Sequence, residues 1–323
     1  MRRIGVLTSG GDAPGMNAAI RAVVRTAYAR GMEVFGVERG FQGLVDGVFR
    51  PMGPRSVSSV INRGGTILRT ARCKAFLAPE GRAEAAALLR QYEIEGLVVI
   101  GGDGSYRGAH ALGVEHSMPC VGVPGTIDND INGTDSTIGY DTALNTALEA
   151  IDRIRDTADS HDRLFFVEVM GRESGYLALM CGIAGGAEAV ITPEDAPPIP
   201  ELVKQLRAGR DAGKRSGIVV VAEGSPLGGA QAVADAVAAQ SEFQDSRVVV
   251  AGHLQRGGVP TASDRILAAR LGASAVDALL AGEADVMVGV SHNESVLSPL
   301  TTAWETERRY GKTWMDLSHL LAT

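Results

Sequence analysis

The chain has 323 residues, 45% of them hydrophobic, and this length suits two α/β domains or one large domain. Its 41 glycines and low aromatic content of 5% favour a compact α/β protein over a disordered or all-β one. The net charge of −7 argues against general electrostatic binding of nucleic acid, so an anionic ligand would need a local cluster of basic side chains. The three cysteines are too few and too scattered for a disulfide framework or a zinc site.

The start of the chain predicts neither export nor membrane insertion. Met1-Arg2-Arg3 leads into the short apolar run Ile4-Gly5-Val6-Leu7, which is too short for the core of a signal peptide. No apolar run in the sequence approaches the length that spans a bilayer. The sequence therefore predicts a soluble protein of the cytoplasm, where cysteines stay reduced.

The first elements in chain order alternate between short apolar strands and amphipathic helices. Ile4 to Leu7 predicts a buried strand, followed by the glycine-rich loop Thr8-Ser9-Gly10-Gly11-Asp12-Ala13-Pro14-Gly15. Asn17 is predicted to cap the next helix, whose apolar residues recur at helical spacing. Gly31 is predicted to end that helix, and Val34 to Val37 predicts a second strand.

A basic loop and two further helices come next. Arg63-Gly64-Gly65-Thr66 and Arg69-Thr70-Ala71-Arg72 have few apolar anchors, which is typical of a loop that surrounds a ligand. Glu80 to Tyr92 predicts an alanine-rich helix that leads into a strand at Leu97, and Asp141 to Arg155 predicts another helix. Strands and helices that alternate at this rhythm predict a parallel sheet with right-handed crossovers.

Two loops in this region carry the strongest functional signal. Leu97 to Ile100 is the apolar run of a strand buried on both faces, and it ends in Gly101-Gly102-Asp103-Gly104-Ser105. The glycines let backbone N–H groups approach phosphate oxygens, and Asp103 can hold a cation that neutralises them. A second apolar run, Val121 to Val123, ends in Pro124-Gly125-Thr126-Ile127-Asp128-Asn129-Asp130. Because ligands of open α/β sheets bind beyond the carboxyl ends of the strands, the two loops predict one phosphoryl-transfer site.

Each of these features also has an ordinary structural interpretation. Gly-Gly-Asp-Gly serves equally as a tight turn between strand and helix, and Asp-Asn-Asp is common turn or cap chemistry. Arg21 and Arg25, four residues apart on the first helix, are also consistent with a solvated helix face. A single histidine such as His253 is more often a core residue than a ligand.

The second half of the chain repeats the pattern. A helix is predicted from about Ser174, and Pro193 to Pro200 predicts a rigid connector. The predicted strands are Leu164 to Val167, a short strand near Val190-Ile191, Ile218 to Ala222, and Arg247 to Ala251. Polar or glycine-rich segments follow three of them, at Glu168-Val169-Met170-Gly171-Arg172, Glu223-Gly224, and Gly252-His253-Leu254-Gln255-Arg256-Gly257-Gly258. These segments are therefore expected on the binding side of a second sheet.

Nearly the whole chain resembles the 6-phosphofructokinases, in particular the ATP-dependent bacterial type. The resemblance rests on motifs in order along the chain: Leu7 to Asn17, Asn62 to Thr66, the loops at 101–105 and 124–130, Val169 to Arg172, and Gly252 to Gly258. It implies an α/β fold of two doubly wound (Rossmann-like) domains, with the active site in the cleft between them. It also implies a larger, ATP-binding domain at 1–139 plus about 255–305, and a smaller, sugar-phosphate-binding domain at 140–254 plus about 306–323.

The resemblance implies an enzyme that transfers a phosphoryl group from MgATP to the 1-hydroxyl of fructose 6-phosphate in glycolysis. Asp128 matches the general base, and Thr126 and Arg172 lie where the transferring group passes. Asp103 matches the position associated with Mg²⁺ on the nucleotide. Residues that resemble further ATP contacts are Gly11, Arg72, Cys73, Gly102, Gly104 and Ser105. Residues that resemble fructose 6-phosphate contacts, together with Thr126, Asp128 and Arg172, are Met170, Gly171, Glu223, His253 and Arg256, with Arg163 and Arg247 supplied to the adjacent subunit.

A homotetramer with shared active sites is also implied, with an allosteric site for ADP or phosphoenolpyruvate. The residues that match this site are Arg21, Arg25, Arg155, Gly186, Glu188 and Lys214. Ala212 and Ser216 stand where relatives often have a lysine and a histidine, and Pro54 displaces an arginine. Because each lost charged contact weakens phosphate binding, activation by ADP is predicted to be weaker than in the family, while inhibition by phosphoenolpyruvate survives better.

Two alternatives remain open on the sequence alone. NAD kinases and diacylglycerol kinases also use Gly-Gly-Asp-Gly, but they are not expected to carry the motifs at 124–130 and 252–258. A non-catalytic regulatory subunit of the same fold would be expected to lack the base or the metal carboxylate, whereas Asp103 and Asp128 are both present. Gly104 and Gly125 stand where pyrophosphate-using relatives have an aspartate and a lysine, so ATP is the predicted donor.

Overall fold

The computed structural model describes residues 1–306 and 308–322, which divide into two compact units. Unit 1 comprises Met1–Ile127, Ile131–Thr142 and Arg256–Arg308. Unit 2 comprises Asp128–Asp130, Ala143–Gln255 and Arg309–Thr323. The placement of Asp128–Asp130 in unit 2 is a feature that the sequence does not predict. The ATP-binding and sugar-binding roles of the two units stay predictions.

Both units are built from alternating strands and helices. The strands are β1 (Arg3–Thr8), β2 (Glu33–Val37), β3 (Phe49–Met52), β4 (Gly96–Gly101), β5 (Cys120–Thr126), β6 (Ile138–Gly139), β7 (Leu164–Val169), β8 (Ala189–Ile191), β9 (Gly217–Ala222), β10 (Arg247–Val250), β11 (Val286–Ser291) and β12 (Glu294–Pro299). The helices are α1 (Met16–Ala29), α2 (Phe41–Asp46), α3 (Pro79–Gln91), α4 (Asp103–His116), α5 (Tyr140–His161), α6 (Tyr176–Gly185), α7 (Ile199–Asp211), α8 (Ala230–Ala238), α9 (Ala262–Leu280), α10 (Thr302–Glu305) and α11 (Lys312–Leu321). The predicted α/β fold class is confirmed.

The sheet of unit 1 has the strand order β12-β11-β5-β4-β1-β2-β3, with β6 alongside β5. The strands from β11 to β2 run parallel, but β3 and β12 are antiparallel to their neighbours at the two edges. The prediction of a parallel sheet is therefore wrong at both edges. His292 and Asn293, the two residues between β11 and β12, both have positive φ angles, and so short a connection can only join antiparallel strands.

The centre of unit 1 places three loops at one edge of this sheet. β4 is buried along its whole length and lies between β1 and β5, with Val98 opposite Val6 on one side and Val121 on the other. Because β1, β4 and β5 are parallel neighbours, their last residues share the carboxyl edge of the sheet. These residues are Thr8, Gly101 and Thr126.

Unit 2 contains the smaller sheet, in the order β10-β7-β9-β8, with all strands parallel. Phe166, Val219 and Val221 on its strands belong to a buried apolar cluster with residues of α7 and α8. Since β7, β9 and β10 are parallel neighbours, the segments after Val169, Ala222 and Val250 lie at one edge. These are the segments that the sequence singles out in the second half of the chain.

Two local predictions about helix starts are wrong. Asn17 does not cap α1, because it lies inside the helix and Gly15 occupies the N-cap position with φ 104°. The Asn17 amide instead donates to the carbonyls of Arg63 and Gly64 at 3.0 and 3.1 Å, and its Oδ1 accepts from the Ile67 N–H at 2.7 Å. Asn17 thus ties the basic loop to α1.

The stretch 101–105 is also not a loop along its length. Gly101 ends β4 and Asp103 already begins α4, so Gly102 alone separates strand from helix. Among the helices of residues 1–306 and 308–322, none is long and apolar enough to cross a membrane.

Candidate active site

In unit 1, two strand-to-helix connections lie against each other. The N–H of Ser9, just after β1, donates to the carbonyl of Ile100 in β4 at 3.0 Å. A Cβ on Gly101 would lie 2.5 Å from Ser105 Oγ and 2.6 Å from the Ser9 carbonyl oxygen. Only glycine at 101 therefore allows the two connections to approach this closely.

The N-terminus of α4 forms the predicted phosphate cradle. Asp103, Gly104 and Ser105 make up its first turn, and a helix N-terminus of this kind favours an anion. The Ser105 N–H donates to the Gly102 carbonyl at 3.0 Å, so the N–H groups of Asp103 and Gly104 are the ones suited to phosphate. A Cβ on Gly104 would meet no heavy atom within 4 Å, so the backbone is open to a ligand there. Ser105 is 3% exposed, and its Oγ has no hydrogen-bond partner among the described residues.

Gly11 and Arg256, predicted for different substrates, are brought together in unit 1. A Cβ on Gly11 would lie 2.4 Å from Arg256 Nη1, so the guanidinium packs against the bare backbone of this glycine. Arg256 Nη1 also donates to the Asp12 carbonyl at 3.1 Å. The geometry places one cation directly beside the first glycine-rich loop.

Arg72 and Cys73 differ in their surroundings. Arg72 is exposed, whereas Cys73 is half-buried and packs against the apolar cluster that contains Phe41 and Phe76. Those two rings stack with their centroids 4.3 Å apart. Cys73 therefore has the environment of a small apolar side chain, and its contact with a nucleotide stays a prediction.

Thr126 ends β5, where a buried hydrogen bond fixes its backbone. Thr137, which is fully buried, donates through Oγ1 to the Thr126 carbonyl at 2.7 Å. A Cβ on Gly125, one residue before Thr126, would lie 3.1 Å from Ile100 Cγ2 and 3.2 Å from Met16 Cε, so this glycine is closely packed against protein. Of Gly104 and Gly125, Gly104 is therefore the one with open space beside it.

Asp103 suits a magnesium ion that is held mainly by phosphate. In the described part of the chain, no group of three or more His, Cys, Asp or Glu side chains is arranged to hold a metal. Mg²⁺ bound with a nucleotide needs only one or two carboxylates, since phosphates and waters supply the other ligands. The Asp103 carboxylate is 42% exposed at the start of α4, with Arg107 Nε 3.8 Å away. A single carboxylate at an open cradle fits that chemistry.

In unit 2, a buried acid faces an exposed cation. The Asp128 side chain is 2% exposed, and Arg172 Nε lies 3.5 Å from its Oδ2, while the Arg172 side chain is 56% exposed. Arg172 has φ 53°, in the left-handed region that non-glycine residues rarely adopt. The structure therefore brings the predicted base together with the predicted arginine, and holds the arginine in an uncommon backbone conformation.

Side chains that follow β9 and β10, the two strands on either side of β7, hold the turn that carries this arginine. Glu223 Oε1 accepts from the N–H groups of Gly171 and Arg172 at 3.2 and 2.9 Å, and Gln255 Oε1 accepts from the Met170 N–H at 2.9 Å. Glu223, a predicted sugar contact, therefore also has a structural role, because its Oε1 accepts two hydrogen bonds from the backbone of the turn. Sequence reasoning missed Gln255, although it lies inside the conspicuous motif at 252–258.

Arg163 and Arg247 share one carboxylate. Asp245 lies 3.1 Å from Arg163 Nε and 2.6 Å from Arg247 Nη1. The hydrogen bond from Arg163, with Arg247 nearby, lowers the pKa of the Asp245 carboxyl below its usual value. His253 is exposed, so the core-histidine interpretation does not apply to it.

The predicted effector residues of unit 2 have partners within that unit. In unit 2, Arg155 donates to the carbonyls of Gly185 and, at 2.8 Å, Gly186, while Lys214 Nζ lies 2.6 Å from Glu188 Oε2. Glu188 and Lys214 line a cavity of unit 2 that Arg163, Asp245 and Arg215 also line. In unit 1, Arg21 is half-buried and Arg25 exposed on α1. The predicted effector site, with its basic residues Arg21, Arg25, Arg155 and Lys214, therefore stays a prediction.

These features are typical of a class of protein: an α/β enzyme whose glycine-rich strand-to-helix connections suit phosphoanions and whose buried acid is paired with an arginine. The phosphofructokinase family model matches residues 3–279. The chain is 57% identical over 322 residues to "ATP-dependent 6-phosphofructokinase 1" of Thermus thermophilus, covering 100% of both chains. It is 54% identical over 305 residues to "ATP-dependent 6-phosphofructokinase 2" of Bacteroides thetaiotaomicron, covering 94% of each.

A solved phosphofructokinase structure from Saccharomyces cerevisiae matches with a TM-score of 0.88 and 40% identity. That match covers 94% of this chain and 45% of the yeast chain. The chain therefore belongs to the phosphofructokinase family, and the predicted resemblance is confirmed. It is an enzyme, a phosphotransferase with an alcohol group as acceptor, which removes the regulatory-subunit alternative.

Proposed function

We propose that this chain transfers the γ-phosphoryl group of ATP to the 1-hydroxyl of fructose 6-phosphate, giving fructose 1,6-bisphosphate and ADP in glycolysis. The observation that carries the proposal is the Asp128 carboxylate, 2% exposed and 3.5 Å from Arg172 Nε. A buried acid at a strand end, beside an exposed arginine, suits proton removal from an alcohol next to a phosphate. The names of relatives 50–57% identical over the chain support the choice of donor and acceptor.

Asp128 is the proposed general base. As the sugar oxygen forms its bond to the γ-phosphorus and the bond from phosphorus to the bridging oxygen of ADP breaks, the 1-hydroxyl proton passes to the Asp128 carboxylate. The transition state is loose, so the protein acts mainly by positioning groups and balancing charge. Arg172 and the Thr126 backbone, fixed by Thr137, are proposed to flank the transferring group.

ATP is proposed to bind at the cradle of unit 1. The N–H groups at the start of α4 would hold phosphate oxygens, and the open backbone at Gly104 leaves room for them. Gly11, Arg72 and Cys73 complete the proposed nucleotide contacts. Asp103 would hold Mg²⁺, which supplies charge neutralisation between the β- and γ-phosphates when it is bound.

Fructose 6-phosphate is the proposed acceptor substrate. The proposed contacts are Met170, Gly171, Arg172, Glu223, His253 and Arg256. Arg163 and Arg247 are proposed to reach the 6-phosphate of an adjacent subunit within a homotetramer, where the phosphate would replace Asp245 as their partner. The cytoplasm is the proposed location, which suits the free thiols of Cys73, Cys120 and Cys181.

Regulation by ADP or phosphoenolpyruvate is proposed at the set Arg21, Arg25, Arg155, Gly186, Glu188 and Lys214. Lys214 already has a carboxylate partner at 2.6 Å, and a phosphate would have to compete with Glu188 for it. Arg215 lines the same cavity and offers a further cation. Ala212 and Ser216 supply no charge, so we expect the response to ADP to be weak.

A coupled assay tests the proposal. The purified full-length protein is supplied with fructose 6-phosphate and either ATP or pyrophosphate, each with Mg²⁺, and formation of fructose 1,6-bisphosphate is followed. We expect turnover with ATP and little with pyrophosphate. Robust turnover with pyrophosphate and none with ATP would overturn the proposed donor, and no turnover of fructose 6-phosphate with either would overturn the proposed acceptor.

A further inference from the structure

Ser174 connects the arginine-bearing turn of unit 2 to Asp128. Its side chain is buried, with the residue 6% exposed, and its Oγ lies 3.0 Å from the main-chain carbonyl oxygen of Asp128. Since a carbonyl can only accept, the Ser174 hydroxyl is the donor. On its other side Oγ is 3.4 Å from the Tyr176 N–H at the start of α6. Neither the predicted site residues nor the sequence motifs include this serine.

The turn that carries Ser174 is fixed along its length. Beyond the bonds from Met170, Gly171 and Arg172 to Gln255 and Glu223, the Ser174 N–H donates to the Gly171 carbonyl at 2.9 Å. The Gly175 N–H donates to Glu194 Oε1 at 3.0 Å. Acceptors are thus present for the N–H groups of Met170, Gly171, Arg172, Ser174 and Gly175. The turn is therefore a rigid support from which Ser174 reaches Asp128.

The Asp128 carbonyl is a sensitive place for such a bond. The next residue, Asn129, is 2% exposed and has φ 51°, so the backbone turns sharply just after the acid. The Asp128 carbonyl belongs to the peptide plane that begins at the Asp128 Cα, from which the side chain leaves the backbone. A hydrogen bond to that carbonyl consequently anchors the backbone of Asp128 to the turn that carries both Ser174 and Arg172.

We propose that Ser174 is a positioning residue for phosphoryl transfer, which holds the Asp128 carboxylate and the Arg172 guanidinium in their relative arrangement. The inference rests on the proposed role of Asp128 as the general base. Ser174 touches neither substrate in this account and acts only through the backbone of Asp128. Small displacements of a catalytic group reduce turnover strongly, whereas substrate binding through other residues is little affected.

The test compares Ser174→Ala with Ser225→Ala in the full-length enzyme. Ser225 is a matched control, since it is 7% exposed in the same unit and its Oγ accepts from the Leu227 N–H at 3.1 Å. We expect Ser174→Ala to lower kcat about tenfold, the loss expected from one hydrogen bond, with KM for ATP within about twofold of wild type. Ser225→Ala should leave kcat within about twofold while losing a similar amount of thermal stability.

A double variant separates positioning from general destabilisation. If Ser174 acts through Asp128, then Ser174→Ala should lower the residual kcat of Asp128→Asn by less than about twofold, because the group it positions is already disabled. A full tenfold loss in that background, or wild-type kcat for Ser174→Ala alone, would overturn the positioning role. Should Ser174→Ala fail to fold, Ser174→Cys takes its place, since a thiol is a weak donor of similar shape.

Failure of this inference is distinguishable from failure of the proposed function. Near-normal turnover by Asp128→Asn would remove Asp128 as the base and the positioning role with it. A strongly impaired Asp128→Asn together with a fully active Ser174→Ala would leave the proposed function intact and contradict the role of Ser174 alone.

Discussion

The glycine connections of unit 1 and the turn at 170–175 of unit 2 fix their functional atoms by opposite means. In unit 1, side chains are absent where an anion would bind, and the backbone of Gly104 faces open space. In unit 2, Gln255 and Glu223 clamp the backbone of the turn, and Arg172 is held with φ 53°. One region works through bare backbone and the other through a network of side chains.

The comparison shows what each region tolerates. A helix N-terminus binds phosphate through groups that every residue has, so its geometry depends on space rather than on particular neighbours. A clamped turn depends on each acceptor of the clamp, and an uncommon backbone conformation persists only while the surroundings enforce it. We therefore expect substitutions at the glycine connections of unit 1 to change binding, and substitutions that disturb the turn at 170–175 of unit 2 to change turnover.

The largest effect is expected from Gly224→Ala in unit 2. A Cβ at this position would lie 1.7 Å from the Arg172 carbonyl oxygen, so the turn must move. We expect kcat to fall by about 100-fold or more, because a displacement of about 1 Å can cost that much. Gly311→Ala, at a position with nothing within 4 Å, is the control and should keep wild-type kcat. Steady-state assays of both variants decide, and an active Gly224→Ala enzyme would show that the turn is not clamped.

Gly104→Asp is expected to affect ATP binding in unit 1 without affecting folding. The position is open, so the melting temperature should stay at the wild-type value, but the new carboxylate would repel phosphate. KM for ATP should rise about tenfold or more. Gly53→Asp adds the same charge at another open position and should leave KM unchanged. An unchanged KM for ATP in Gly104→Asp would place the nucleotide elsewhere.

Arg163→Ala should raise KM for fructose 6-phosphate about tenfold, the loss expected for one charged contact, and leave KM for ATP unchanged. If the 6-phosphate site is shared between subunits, mixed oligomers of Arg163→Ala with Asp128→Asn should be more active than either variant alone when fructose 6-phosphate is well below the raised KM. Hybrid formation is verified by mass spectrometry of differently tagged subunits. Hybrids that form but show no recovery would argue against a shared site.

The smallest effect is a pH-dependent contribution of Asp245 to stability. Its pKa is lowered in the folded protein, chiefly because Arg163 donates a hydrogen bond to it. The contribution is thus complete above the ordinary aspartate pKa of about 3.9 and is lost as the pH falls through the lower folded value. Denaturant midpoints of wild type and Asp245→Asn should differ at about pH 6, and the difference should shrink as the pH falls below the ordinary aspartate pKa of about 3.9. A difference that grows towards low pH would contradict the pairing.

The contrast between the regions also explains what the sequence could predict. The glycines and the Asp103 position are visible in the chain because strand, glycine and helix N-terminus are local features. Three hydrogen bonds of unit 2 join residues far apart in sequence: those of Glu223 with Arg172, Gln255 with Met170, and Ser174 with Asp128. In each bond one partner is a main-chain atom, which every residue carries. The sequence therefore contains no pattern of side chains that predicts these hydrogen bonds.

The edge strand β12 and the exact start of helix α1 could not be predicted from sequence for similar reasons. Strand β12 pairs on one side only and alternates between exposed and half-buried residues, so it lacks the apolar run that identifies β4. Asn17 has the side chain of a capping residue but lies two residues after Gly15, the N-cap of α1, and it bonds the loop at 63–67 instead. In both cases tertiary packing decides between options that the local sequence leaves equal.

The most direct test of the account is the rate of a single turnover by Asp128→Asn. Enzyme in excess is mixed rapidly with γ-labelled MgATP and fructose 6-phosphate, and labelled product is quenched at successive times. We predict a rate about 10²–10⁴-fold below wild type, with the ATP-dependent rise in melting temperature retained, since a positioned base contributes that much. Asp235→Asn, an exposed acid on α8, is the control and should react at the wild-type rate. A near-normal rate in Asp128→Asn would contradict the assignment of Asp128 as the base.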